Sequence, residues 1–425
     1  MQIADLVERI AGDALPVRVE AYDSSATGPE DSPVTVRLRS PRALRYMVTA
    51  PGELGVARAY VSGELEIDGD MHTALTLLAG MDVPALHVRD VLAALGALGP
   101  RILGRAPVPP EEIRTRGRLH SKLRDAEAIS HHYDVSNEFY RIVLGPTMAY
   151  TCAVFPDGSS DLETAQDEKF DLVCRKLDLR PGMRLLDVGC GWGGMVMHAT
   201  RHYGVTALGV TLSAQQAEWA RDAIRSAGLA DRAEVRHLDY RDVTPGDGPF
   251  DAISSIGLTE HIGADQLPGY FDHLCSLLQP EGRLLNHAIM RPTTRRSRLS
   301  SRGFMNRYVF PDAELLTVGE IAQVMQDHGF EIRHEENLRE HYARTLGFWG
   351  ANLMAGWDAA VAEAGAGRAR VWRLYMAASQ VLFDTNRMQL HQLLGVKTTN
   401  GHSGFPWRPD WDSRRVSAEE PASTR

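Results

Sequence analysis

The run Asp187-Val188-Gly189-Cys190-Gly191-Trp192-Gly193 follows the apolar pair Leu185-Leu186 and leads into a helix-like segment, Met195 to Tyr203. Glycine has no Cβ and tolerates positive φ, so a strand ending in such a turn can bring bare backbone up to a ligand. The helix N-terminus behind the turn adds oriented N–H donors and a partial positive charge. The chemistry on offer at this point is ligand holding by backbone, next to one carboxylate. Thr211-Leu212-Ser213, Asp239-Tyr240-Arg241 and Glu260-His261 each lie at or just beyond the end of a predicted strand, where open α/β sheets bind ligands. A further apolar strand, Gly282 to Ile289, ends in His287-Ala288-Ile289.

A nicotinamide dinucleotide site needs Gly-x-Gly-x-x-Gly and an acid about 20 residues on to hold a ribose. Here the strand Ala207 to Val210 runs into Thr211-Leu212-Ser213, and no acid appears before Glu218. The order Asp-x-Gly-x-Gly-x-Gly instead resembles the first motif of S-adenosylmethionine (SAM) methyltransferases, with Asp239-Tyr240-Arg241 after a third strand (Ala233 to His237) where those enzymes contact adenine.

The elements that must position these residues read as a doubly wound α/β core over 126 to about 290. Residues 1–105 read as a separate small domain. Pro33 to Leu38 alternates like a half-buried strand, and Met71 to Leu78 and Val88 to Leu98 are helical patterns. Pro107, Pro109 and Pro110 mark a linker within 106–125. From Arg101 to Arg124 seven Lys/Arg face two Glu, and Arg291, Arg295, Arg296, Arg298, Arg302 and Arg307 form a second basic stretch. Each stretch is either a solvated face or a surface for anionic lipid. The segment from about 290 to 400 reads as a helical, aromatic-rich lid (Phe304, Tyr308, Tyr342, Phe348, Trp349, Trp357, Trp372, Tyr375), and 401–425 as a disordered tail in which Trp407 and Trp411 are candidates to dock.

At 425 residues the chain is long enough for two or three cores. A formal net charge of −9 argues against nucleic acid as a bulk partner. The cysteines Cys152, Cys174, Cys190 and Cys275 lack metal spacing, and no metal site is expected. Asp5, Glu8 and Arg9 come too early for a signal peptide, and no run approaches ~18 uninterrupted apolar residues. The expected location is the cytoplasm, with any membrane met from its surface.

Several motifs together identify a family. They are Ile129-Ser130-His131-His132-Tyr133-Asp134-Val135-Ser136-Asn137-Glu138-Phe139-Tyr140, Met148-Ala149-Tyr150-Thr151-Cys152-Ala153, the glycine turn, Gly209-Val210-Thr211-Leu212-Ser213-Ala214-Gln215-Gln216, Gly257-Leu258-Thr259-Glu260-His261-Ile262-Gly263 and Tyr308-Val309-Phe310-Pro311. The chain resembles the cyclopropane-fatty-acid synthases over nearly its whole length. The resemblance implies a doubly wound, seven-stranded SAM-methyltransferase sheet with a helical lid and a small N-terminal α+β domain. It implies methyl transfer from SAM to a double bond in an acyl chain of an intact phospholipid at the inner membrane surface. It also implies a bound bicarbonate as base, in a pocket of Glu260, Cys152, His287, Ile289 and Tyr342, with Tyr133 near the reacting centre. The SAM site it implies comprises Tyr150, Thr151, Asp187, Gly189, Gly191, Gly193, Thr211, Leu212, Ser213, Gln216, Asp239, Tyr240 and Arg241. Taken singly, Cys152 also reads as a small buried hydrophobe, Glu260 as a first-turn acid of a helix, and His287 as a satisfied core histidine.

Two departures bear on the product. Ala378-Ser379-Gln380 stand where many relatives carry a cysteine after the Tyr375 position, so no thiol nucleophile is required there. Leu258-Thr259 precede Glu260 where cyclopropane synthases commonly have an aromatic. With Asn286-His287 and His334 to Arg339, this resembles the actinobacterial branch that makes tuberculostearic acid through a 10-methylene intermediate. That branch implies a flavin-dependent reductase as partner. Cyclopropane formation is the alternative product and a non-catalytic lipid-binding subunit a remote one; the sequence is compatible with a homo-oligomer.

Overall fold

The computed structural model describes residues 2–11, 15–81, 106–113, 135–295, 303–311 and 313–411. The expected helix at 88–98, the basic run 101–124 apart from its described acids, Tyr133, Arg296, Arg298, Arg302 and the chain beyond Trp411 lie outside the described residues. The chain divides into two compact units. The first comprises Met1–Val143, Arg295–Ala313 and Leu346–Thr385, the second Leu144–Thr294, Glu314–Thr345 and Asn386–Arg425.

In the first unit, β1 (Arg18–Ala21), β2 (Ala26–Thr27), β3 (Thr35–Leu38) and β4 (Leu65–Asp68) form a sheet in the order β2-β1-β3-β4. Ser40 and Asp70 cap the helices Pro41–Thr49 and Met71–Ala79 by accepting N–H bonds of the first turn. Val17, Val34, Tyr46, Ala59 and Tyr60 form the core with Ala377 of the helix Ala366–Asp384. Trp372 and Tyr375 of that helix pack edge to face with one another and with Phe139, Tyr140 and Phe310. Glu112 is buried there, paired with Arg58 at 2.7 Å and accepting from the Tyr308 hydroxyl at 3.4 Å.

The second unit carries a seven-stranded sheet. Its strands are β5 (Arg184–Val188), β6 (Thr206–Thr211), β7 (Ala233–His237), β8 (Phe250–Ile256), β9 (Leu278–Met290), β10 (Glu331–Asn337) and β11 (Gln389–Val396), in the order β10-β11-β9-β8-β5-β6-β7. The strands β7, β6, β5, β8 and β9 run parallel; β11 and β10 are added antiparallel. The parallel strands are near-continuous apolar runs because helices cover both faces. The strand order reverses at β5, so the crevice for a ligand opens at the carboxyl ends of β5, β6 and β8.

Two expectations are corrected. The segment from about 290 to 400 is not one helical lid: it supplies β10 and β11 to the sheet, while 303–311 and 346–385 belong to the first unit. Its aromatics Phe304, Tyr308, Trp349, Trp372 and Tyr375 are buried there, because rings of that size are drawn into a core. Residues 401–411 do not behave as a tail. Phe405 and Trp411 pack on the sheet core, the Arg283 and Arg333 guanidinium groups lie 4.9 and 4.8 Å from the Phe405 ring, and Trp407 alone stays exposed. In the second basic stretch Arg291 pairs with Glu320 at 2.8 Å and Arg307 faces Glu112 at 3.9 Å, leaving Arg295 as its exposed member among the described residues. Among the described residues, no helix is long and apolar enough to cross a membrane.

Candidate active site

The glycine turn closes as the sequence predicts. Gly189, Gly191 and Gly193 have φ of 77°, 53° and 81°, where a side chain would be strained. The N–H groups of Gly189 and Cys190 donate to the Val210 carbonyl at 2.9 and 3.0 Å, tying the turn to β6. A Cβ placed on Gly191 would meet nothing within 4 Å, so the backbone at Gly191 faces open space, as a nucleotide-type ligand requires, whereas Cβ atoms on Gly189 and Gly193 would meet Leu258 and Ala220 at 3.4 and 3.1 Å. Asp187 is buried at the end of β5; its carboxylate accepts from the Ser254 hydroxyl at 2.7 Å on the neighbouring strand. Burial pushes its carboxyl up to about 6.

Past β6, Ser213 caps the helix Ala214–Ser226 by accepting the Gln216 N–H, and the Thr211 hydroxyl donates to the Gln216 side chain at 2.9 Å. This fixes Thr211, Leu212, Ser213 and Gln216 as one bonded turn. Past β7, Asp239 accepts from the backbone N–H of Arg241 at 2.9 Å and from its guanidinium at 2.6 Å. The Asp239 carboxylate is therefore occupied by its own neighbour. Tyr240 stands edge-on to Tyr270 at 5.0 Å.

A second group of residues gathers around β8, β9 and β11. Glu260, in the short helix Thr259–Ile262, accepts the Ile289 N–H on one carboxylate oxygen at 2.7 Å. Ile289 pairs with Leu390 on β11; the Leu390 carbonyl accepts the Leu338 N–H; the Leu338 carbonyl in turn accepts the Tyr342 N–H at 3.1 Å and lies 3.8 Å from the Cys152 sulfur. Glu260, Ile289, Tyr342 and Cys152 thus sit along one bonded path, though they are spread over 191 positions of sequence from Cys152 to Tyr342. His287 lies two residues before Ile289 on β9, and its carbonyl accepts the Gly257 N–H at 2.8 Å.

Burial dominates the electrostatics here. The Glu260 carboxyl is pushed up to about 7, against the pull of the Ile289 N–H. The Cys152 thiol is pushed far above its ordinary value, so the sulfur stays protonated and is no nucleophile. His287 is held well below its ordinary value by burial and by Lys169 and Lys176, so the imidazole is neutral. The second Glu260 oxygen and His287 Nε2 are buried with no partner among the described residues. Each is a buried polar atom that a small oxygen-rich ligand such as bicarbonate, which can both donate and accept, is suited to satisfy.

Sequence reasoning passed over Lys169, Lys176 and Gln166. All three are buried on the helix Leu162–Leu177, and Lys169 and Gln166 bind the segment before Cys152. Lys169 Nζ donates to the Thr151 hydroxyl at 2.9 Å, and Gln166 Nε2 donates to the Thr151 carbonyl at 2.9 Å. Burial draws the Lys169 amine down to about 7, with Cys152 and Asp187 close enough to oppose that shift. The signal was present: Gln166, Lys169 and Lys176 recur at helical spacing on the same stripe as Phe170 and Val173, where a solvated lysine has no place.

Comparison with known proteins agrees with this geometry. Residues 120–393 match the family model described as mycolic acid cyclopropane synthetase. The chain is 51% identical over 409 residues to a probable fatty acid methyltransferase of Mycobacterium tuberculosis, covering 93% of this chain and 95% of that one. It is 32% identical over 389 residues to the cyclopropane-fatty-acyl-phospholipid synthase of Escherichia coli, covering 91% and 92%. The crystal structure of the mycolic acid cyclopropane synthase CmaA1 complexed with SAH and CTAB superposes with a TM-score of 0.60 at 30% identity, over 64% of this chain and 98% of that one. The chain belongs to the mycolic acid cyclopropane synthetase family and is a SAM-dependent methyltransferase.

Proposed function

We propose that the protein methylates the double bond of an oleoyl-type chain in a membrane phospholipid and gives a 10-methylene-branched acyl chain, which a flavin-dependent reductase then saturates. The supporting observation is that Glu260, pinned to the Ile289 N–H, keeps its second carboxylate oxygen without a partner among the described residues, and that Nε2 of the neutral His287, two residues before Ile289 on β9, likewise has none there. The glycine turn, Tyr150, Thr151, Thr211, Leu212, Ser213, Gln216, Tyr240 and Arg241 would hold SAM, which supplies an electrophilic methyl group when bound. Glu260, His287, Tyr342 and the backbone at Cys152 and Ile289 would hold bicarbonate, which supplies a base; Tyr133 would lie near the reacting centre.

The work left to the chain's own residues is to hold charge and exclude water. An alkene carbon that accepts a methyl group leaves a positive charge on its neighbour. The pocket must stabilise that cation without trapping it as a nucleophile, and a buried aromatic face such as that of Tyr342 would do so. A hydride shift to the cationic carbon, followed by loss of a proton from the transferred methyl, gives the methylene product. Direct closure with loss of the same proton gives a cyclopropane. Glu260, kept near neutrality by burial, can accept a hydrogen bond from the base when ionised and orient it toward that proton. The methylene product is favoured by Leu258-Thr259 before Glu260, where cyclopropane synthases commonly have an aromatic.

The acyl chain lies in a lipid bilayer, so the protein would work peripherally at the inner membrane surface, where Arg295 and the basic residues of 101–124 can attract anionic headgroups. Replacing Glu260 by Ala should leave SAM binding by calorimetry nearly intact and lower turnover on oleoyl-phospholipid vesicles by roughly 10²–10⁴-fold. Near-native turnover would remove Glu260 from the reaction.

A further inference from the structure

The buried face of the sheet holds a polar row that no ligand-holding role explains. In the register of β10, β11 and β9, Glu336 lies opposite Gln392, and Gln392 lies opposite His287. Lys176 reaches into this row from the helix Leu162–Leu177. Its ammonium contacts the Glu336 carboxylate and donates to the Gln392 side-chain oxygen at 2.6 Å. The other end of the Gln392 amide meets His287 Nδ1 at 3.2 Å. Lys176, Gln392 and His287 are each no more than 1% exposed, so water does not compete for these bonds.

Hydrogen-bond polarity runs one way along this row. An ammonium has donors only, so the amide atom that meets Lys176 must be oxygen. The atom at the far end is then the NH₂ group, which can only donate, so His287 Nδ1 must accept. A neutral imidazole that accepts at Nδ1 carries its proton at Nε2. Burial pulls the Lys176 amine below its ordinary value, and the Glu336 carboxylate in contact with it opposes that pull and favours the ammonium form.

We propose that Glu336, Lys176 and Gln392 are positioning residues that lock His287 in its Nε2–H tautomer, so that the pocket presents a hydrogen-bond donor at this point to an oxygen atom of its ligand. The assignment rests on the reading of His287 as a pocket residue given under Proposed function. It explains why a lysine and a glutamine are placed beneath the sheet: imidazole tautomers are close in energy in water, and a site that needs one of them must select it. Lys169, whose charge together with that of Lys176 disfavours protonation of His287, donates to the Thr151 hydroxyl rather than into the row.

The test uses the full chain labelled with [¹⁵N]histidine and a two-bond proton–nitrogen correlation spectrum, with His287 identified by the signals lost in His287→Asn. The wild type should show the Nε2–H pattern across the neutral range. In Gln392→Glu the carboxylate can only accept at Nδ1, so the pattern should switch to Nδ1–H; turnover should fall about 10–100-fold while SAM affinity by calorimetry stays within about twofold. Lys176→Met, which frees the amide to rotate, should give a mixture of both tautomers. An Nδ1–H or doubly protonated His287 in the wild type would overturn the proposal, and this holds even where a variant fails to fold. An unchanged tautomer in Gln392→Glu, or a switched tautomer with native turnover, would overturn it as well. A wild type that methylates no oleoyl phospholipid would refute the proposed function instead, and the spectrum would still decide the row.

Discussion

Replacing Glu260 by Gln tests the electrostatics of the pocket without any substrate. Burial raises the Glu260 carboxyl from an ordinary 4.5 to about 7 in the folded protein. The folded state therefore binds this proton more tightly than the unfolded chain does. The stability this contributes is fully present below pH 4.5 and is lost as pH rises through about 7. At about 1.4 kcal/mol per pH unit the loss amounts to about 3 kcal/mol. Glutamine has the shape of the protonated acid, still offers an oxygen to the Ile289 N–H, and cannot ionise. The variant should thus match the wild type near about pH 5 and exceed it by about 2–3 kcal/mol near about pH 8. Urea unfolding of both proteins at the two pH values, compared as a difference so that every other titrating group cancels, measures this directly. A stability gap that does not change with pH would show that Glu260 ionises as it does in water, and the account of a dry pocket would fail.

Lys169→Met should act in the opposite direction: burial depresses the Lys169 amine from 10.5 to about 7, so the stability tied to its neutral form is present above 10.5 and is lost as pH falls from there to about 7, and in the same urea assay the variant should gain on the wild type across that window and hold a constant advantage below it. Gly191→Ala places a side chain at φ 53° where no protein atom would touch it, so it should cost about 1–2 kcal/mol of stability and, by calorimetry, weaken SAM binding well beyond that strain. Phe405→Ala removes a ring held between Arg283 and Arg333 and should lower the unfolding free energy from urea titration by about 1–2 kcal/mol, whereas Trp407→Ala, fully exposed, should leave it unchanged. The acid limb of the pH–turnover profile should lie near pH 7 in the wild type and vanish in Glu260→Gln.

What could be read from the chain follows the range of the interactions involved. The turn from Asp187 to Gly193, the cap at Ser213 and the helix Gly194–Tyr203 are made by neighbours in sequence, and their residue types announce them. The strand β9 and its terminal His287 were legible for the same reason. The row from Glu336 through Gln392 to His287 was not, because it exists only once β11 inserts between β9 and β10. Nothing near Gln392 in sequence signals that partner. The short strands β10 and β11 were hidden inside a segment whose aromatics suggested helices, and β10 in particular is polar and half exposed, as an edge strand should be. Of the two tryptophans marked as candidates to dock, Trp411 packs on the core and Trp407 does not, and Phe405 was masked by the Pro, Ser and charged residues around it, since composition reports average solvation and not the one ring that finds a groove.

The central claim is the transfer of a methyl group to a lipid double bond with loss of a proton from that methyl. The most direct measurement incubates the purified protein with SAM and oleoyl-phospholipid vesicles, releases the fatty acids, and analyses them by mass spectrometry and proton NMR. The account predicts acyl chains heavier by one carbon that carry vinylidene protons. High-field cyclopropane protons would keep the family chemistry and contradict the methylene assignment, and acyl chains with no added carbon would contradict the account as a whole.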